Sequence, residues 1–175
     1  EKTCIDYQLT VTNPGGHSSE PRADNAIDVL AAALLRVRAY RFRPEVNDLT
    51  RGYFTQAARL QPGPLGQAMK DFAANPADRK AIATLSADPA MVGRIGTTCV
   101  VTMIQGGHAA NALPQRATAN IDCRIFPGHS AHDIMAELQQ VIADPAVTIT
   151  DVTVGSVVTP PSPVRRDFVD AVTTA

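Results

Sequence analysis

Two glycine-rich loops and one arginine hold the residues of this 175-residue chain whose types and spacing could do chemistry. The first loop is Gly15-Gly16-His17-Ser18-Ser19. The second is Gly106-Gly107-His108-Ala109-Ala110-Asn111-Ala112-Leu113-Pro114, and the arginine is Arg124. Paired glycines let backbone approach a ligand, a neutral imidazole donates one hydrogen bond, and amide and guanidinium groups donate to carboxylates. His17, Asn111 and Arg124 together describe a site for an anionic or oxyanion-bearing ligand. Plainer roles stand beside that one: His17 and Asn111 can stabilise their own loops, and Arg124 can pair with Asp122 or Asp6 across a sheet.

The elements that must position these residues are legible from periodicity. Residues 4–12 alternate, with Ile5, Tyr7, Leu9 and Val11 on one face, and predict a half-buried strand that Asn13-Pro14-Gly15-Gly16 ends. Asp24 or Asn25 can cap a helix running to about Tyr40, with Ile27, Leu30, Ala31, Leu34 and Val37 on its apolar face. Arg36, Arg38, Arg41 and Arg43 cluster at its end, where cations complement the helix dipole, and are read as a solvated face without function. Residues 41–96 are rich in turns and short helical pieces and are read as an insertion. Its Tyr53, Phe54 and Phe72 are expected to pack it onto the main body.

Residues 97–105 and 116–125 read as two more strands, the second with the cleanest alternation in the chain. Ser130 to Asp133 has the form of a capping box before a helix over about 131–143, and Val147 opens a fourth strand. The order strand, helix, strand, strand, helix, strand predicts an α+β ferredoxin-like βαββαβ sandwich, a four-stranded antiparallel sheet with two helices on one face. The expected organisation is a domain over 1–155 carrying the insertion. A linker and the start of a further helix occupy 156–175, as in a fragment of a larger protein.

Composition excludes several classes. Sixteen basic and 17 acidic residues give a net charge of −1, and the strands at 97–105 and 116–125 carry no aromatic residue on which a base could stack. No nucleic-acid partner is expected, and no run is apolar enough to predict a membrane span. Cys4, Cys99 and Cys123 are odd in number and widely spaced, so they are read as small core or strand residues without a disulfide or zinc role. His17, His108, His129 and His132 include no H-E-x-x-H, and His129 and His132 are read as surface residues. Gly16-His17-Ser18-Ser19-Glu20 lacks the second glycine of a serine-hydrolase elbow. The compartment stays open.

Taken together, Gly15-Gly16-His17-Ser18-Ser19-Glu20-Pro21 with Asn25-Ala26-Ile27, Gly106-Gly107 with Asn111-Ala112-Leu113-Pro114, and Asp122-Cys123-Arg124-Ile125-Phe126-Pro127-Gly128 carry a resemblance. In order and spacing across residues 4 to about 155 they resemble the dimerisation or lid domain of a family of two-zinc metallopeptidases. That family includes aminoacylase, acetylornithine deacetylase, succinyl-diaminopimelate desuccinylase and glutamate carboxypeptidase. The long stretch 41–96 is similar to the larger lid of the Gly-Xaa carboxypeptidase-like branch.

The resemblance implies a parent hydrolase acting on a dipeptide or N-acyl amino acid, with zinc ligands and general base outside this chain. It implies a homodimer through this domain, with contact at the strand over 97–105 and the first helix. It implies that His17 stabilises the oxyanion in the partner subunit's active site, and that Asn111 and Arg124 grip the substrate carboxylate. The chain alone is expected to be inactive. A rival reading is a stand-alone ferredoxin-like regulatory module that binds a small carboxylate through Asn111 and Arg124.

Overall fold

A computed structural model describes residues 2–158 and 160–174 of the chain. Four strands form the main sheet: β1 (Thr3–Thr12), β3 (Thr98–Gly106), β5 (Arg116–Ile125) and β6 (Val147–Asp151), in the order β3-β5-β1-β6. All three pairings are antiparallel. β1 runs against β5 from Thr3 opposite Ile125 to Thr12 opposite Arg116. This is the expected ferredoxin-like arrangement.

Alternation along β1 and β5 sends Ile5, Tyr7, Leu9, Val11, Ala117, Ala119, Ile121, Cys123 and Ile125 to one face, where they are buried. Helices α1 (Ala26–Ala39) and α6 (Ala131–Ile142) cover that face with Leu30, Ala33, Val37, Ile134, Leu138 and Ile142. Burying each Leu or Ile contributes ~1.5–3 kcal/mol. Asn25 caps α1 by accepting from the Ile27 amide at 2.9 Å, and Ser130 and Asp133 form the expected capping box of α6. Arg36 donates to the Ile142 carbonyl and so ties the end of α1 to the end of α6.

The insertion is four helices: α2 (Asp48–Leu60), α3 (Gly63–Ala74), α4 (Arg79–Ser86) and α5 (Pro89–Val92). Here one expectation is corrected. Phe54 and Phe72 do not pack the insertion onto the main body; they meet edge to face at 5.4 Å inside a separate core with Met69, Leu85 and Met91. Tyr53 stays 39% exposed, with the Arg94 guanidinium 4.7 Å above its ring. Two or more helices can close an apolar core among themselves, and an aromatic residue's type does not state which partner it finds.

Polar contacts hold the insertion to the body. His129 Nε2 lies 2.8 Å from Glu45 Oε1 and Lys2 donates to the Gly96 carbonyl, while the Glu45 N–H donates to the Ile95 carbonyl and closes the two ends of the insertion on each other. Burial pulls the Lys2 ammonium down to about 8, against the opposing pull of the Glu45 charge.

The cysteine expectation is corrected as well. Cys99 and Cys123 face each other in register across β3 and β5 and form a disulfide, leaving Cys4 as a free thiol. Register, which sequence spacing does not express, sets the two sulfurs side by side. Beyond β6, α7 (Arg166–Thr174) lies where the start of a further helix is expected; Thr159 and Ala175 of the expected linker region lie outside the described residues. No described helix is long and apolar enough to cross a membrane.

Candidate functional site

Two short strands join the glycine-rich loops. β2 (Gly16–His17) pairs antiparallel with β4 (Ala112–Leu113), setting Gly16 opposite Leu113 and His17 opposite Ala112. The ladder continues at both ends: Ser18 donates its N–H to the Asn111 carbonyl at 3.0 Å, and Asn13 donates to the Gln115 carbonyl at 2.9 Å. Asn13, 9% exposed, braces the first loop by donating to the Asp24 carbonyl and accepting from the Gly15 amide at 2.7 Å. Gly15 sits at φ +80°, and a Cβ there would lie 2.8 Å from Gln115 Cγ. Only glycine meets both demands cheaply.

The His17 imidazole is fixed by its own loop. Its Nδ1 accepts the Ser19 backbone N–H at 3.2 Å and lies 2.8 Å from Ser19 Oγ. A nitrogen that accepts from an amide carries no proton, so in the neutral ring the proton sits on Nε2. His17 is exposed, and among the described residues Nε2 has no partner, leaving a donor open to solvent; Asn111, also exposed, lies opposite Ser18 in the ladder. Ser19 was not singled out by the sequence as functional; its position two residues after a histidine in a polar loop is the signal that could have marked it.

Arg124 lies elsewhere. It projects from the face of β5 that the helices do not cover, 3.0 Å from Asp122 Oδ1 through Nε, and that carboxylate holds the guanidinium above its ordinary range. Of the two partners open from the sequence, Asp122 is the one it takes. Eight steps along β5 separate it from Arg116, at whose end the paired loops attach, a distance of about 26 Å at ~3.3 Å per residue. Within one chain His17 and Asn111 are therefore brought together, and Arg124 is not. A single small carboxylate cannot touch Asn111 and Arg124 of the same chain.

Among the described residues one group could offer three metal ligands: Cys4, Asp6 and Asp122. Its donors are already engaged. Asp6 accepts from Asn120 Nδ2 at 2.8 Å, Asp122 accepts from Arg124 and from the Cys4 thiol at 3.3 Å, and partial burial with that bond raises the Cys4 thiol above its usual range. A protonated thiol and two carboxylates beside a guanidinium, with no imidazole, do not fit a pair of zinc ions.

A family model described as a peptidase dimerisation domain matches residues 1–150. The chain belongs to that family. This dimerisation domain is similar to a probable carboxypeptidase S-like protein of Dictyostelium discoideum, 33% identical over 153 residues that are 87% of the chain and 29% of that protein. It is 26% identical over 154 residues to an N-fatty-acyl-amino acid synthase/hydrolase of Mus musculus, covering 85% of the chain and 29% of the relative. The domain thus spans about three tenths of the length of these curated relatives. Among solved structures, a di-peptidase of Saccharomyces cerevisiae shares the fold with a TM-score of 0.54 at 11% identity, over 91% of this chain and 37% of that one. An aminobenzoyl-glutamate utilization protein of Klebsiella pneumoniae matches with 0.52 at 15% identity, over 93% and 30%.

Proposed function

We propose that this domain is the lid and dimerisation domain of a zinc-dependent amidohydrolase or peptidase that cleaves the amide bond of a dipeptide or N-acyl amino acid. The hydrolase names of its relatives and its family membership support the class of reaction. The observation that supports the reading is the ladder between Gly16-His17 and Ala112-Leu113, which joins the loop carrying the free His17 Nε2 donor to the loop carrying Asn111. The metal ligands and the nucleophile come from the parent protein outside these residues, so this chain's part is to bind and to stabilise charge. When the amide carbon is attacked, negative charge develops on the former carbonyl oxygen, and His17 Nε2–H donates to it. The Asn111 amide and the Arg124 guanidinium donate to the substrate carboxylate.

The distance between those groups sets the assembly. β3 is an edge of the main sheet, and Thr98 at one end of it pairs with Arg124 while Gly106 at the other end leads into the Asn111 loop. Antiparallel pairing of two β3 strands about a two-fold axis puts the Thr98 end of one copy beside the Gly106 end of the second. Arg124 of one copy then faces the His17 and Asn111 loops of the other. The complete site is built from both copies.

Mixed dimers test this in the full-length enzyme. His17→Ala and Arg124→Ala homodimers lose activity by design, yet a hybrid of the two has one site carrying both defects and one carrying neither. Mixing equal amounts with subunit exchange should restore about a quarter of wild-type activity, because half the dimers are hybrids with one intact site of two. Hybrids as inactive as the parents would place both residues in the same site of one chain and end this reading.

A further inference from the structure

The outward side of α1 carries a pattern that complements itself. Asp28, Ala31, Leu35 and Arg38 follow at helical spacings of three, four and three residues, and all four are exposed, Leu35 by 62%. Ala31, Leu35 and Arg38 line an apolar groove of about 660 Å³ between α1 and β3, together with Leu34, Val100 and Ile104. Val100 and Ile104 on the edge strand are 60% and 62% exposed. Among the described residues the Asp28 and Arg38 side chains have no hydrogen-bond or ion-pair partner, whereas neighbouring Arg41 donates to the Arg38 and Tyr40 carbonyls.

Ala33 is the midpoint of two pairs at once: Asp28 and Arg38 lie equally far on either side of it, and so do Ala31 and Leu35. Two copies of α1 laid antiparallel about a two-fold axis at that level therefore match acid to base at both ends and a large side chain to a small one in the middle. We propose that this stripe sets the register of the homodimer, with Asp28 of each copy paired to Arg38 of the second and Leu35 of each seated over Ala31 of the second. This rests on the two-copy reading above and adds the contacts that choose one alignment. Asp28 and Arg38 are ~15 Å apart along the helix, so a slip of one turn, ~5.4 Å, separates both pairs together.

Sedimentation equilibrium on the full-length protein tests it with Arg38→Glu, Asp28→Lys and the double exchange. Each single variant touches two symmetry-related pairs, so each should weaken the dimer about tenfold or more at low salt, and high salt should shrink the difference. The double exchange should return to within about threefold of wild type, since it restores both pairs with their signs reversed. Thermal melts check that the variants fold, and Arg38→Gln, which removes charge without repulsion, should weaken the dimer less than Arg38→Glu. Single variants that dimerise like wild type, or a double variant that loses the sum of both, would overturn the register while leaving the dimer intact. A monomeric wild-type protein would overturn the two-copy reading and the register with it.

Discussion

The Ser18 amide donates to the Asn111 carbonyl at 3.0 Å, and this bond makes two loops that are distant in sequence into one rigid edge. His17 and Asn111 take their relative backbone positions from this pairing, and Ser19 holds the His17 ring through Nδ1. Among the described residues His17 Nε2 and the Asn111 side-chain amide are left free, the arrangement that the proposed preorganised stabilisation of an oxyanion requires.

Removal of the imidazole should act on the chemical step. If the proposed role holds, His17→Ala in the full-length protein is expected to lower kcat about a hundredfold, equivalent to ~3 kcal/mol, with metal content unchanged. Steady-state kinetics paired with metal analysis checks this. Near-normal kcat would remove the oxyanion role of His17.

Gly15→Ala should disturb the same edge without touching a functional group. A Cβ at φ +80° costs ~1–3 kcal/mol and meets Gln115 Cγ at 2.8 Å, so the ladder to β4 should loosen. Faster hydrogen exchange at the Ser18 amide, with kcat reduced in the direction of His17→Ala, is the expected result. Unchanged exchange at Ser18 would show that the loop does not depend on this glycine.

Stability should climb with pH above about 8. Lys2 releases its proton near 8 in the folded chain against 10.5 as an unperturbed group, so between those values the unfolded chain binds more protons and rising pH favours folding. Below that window the buried ammonium is a standing cost. Urea denaturation from pH 7.5 to 10.5 should show the rise in wild type and a flatter profile in Lys2→Met. A profile of the same slope in both proteins would assign the rise to other groups.

The Cys99–Cys123 bond ties the edge strand β3 to β5. Thiol titration of the denatured, unreduced protein should find one free thiol, Cys4. With the bonded pair 24 positions apart in sequence, loss of the bond in a Cys99→Ala, Cys123→Ala variant should destabilise the domain by ~2–4 kcal/mol. Calorimetric melts of the two proteins check it; three reactive thiols in the wild type would show that the bond does not form.

Much of the fold was legible because local chemistry and periodicity agree. The alternation in residues 4–12 and 116–125, the Asn25 cap and the Ser130–Asp133 box each state their element from neighbours in sequence, and β1, β5, α1 and α6 sit where those patterns put them. The loops bearing His17 and Asn111 were marked as candidate sites by residue type. Their pairing was not, because a two-residue ladder has no periodicity of its own.

Long-range pairing decided the rest. Cys99 meets Cys123 through the register of two strands, Phe54 and Phe72 chose one another over the main body through helix packing, and the span of β5 put Arg124 at the far end from Asn111. By itself the sequence determined which residues face inward, where helices start and which side chains can bind an anion, since those follow from chemistry within a few neighbours. Which of those side chains share a site was a matter of tertiary structure alone, because distance between strands and across a sheet depends on how remote segments align, and no local pattern encodes that alignment.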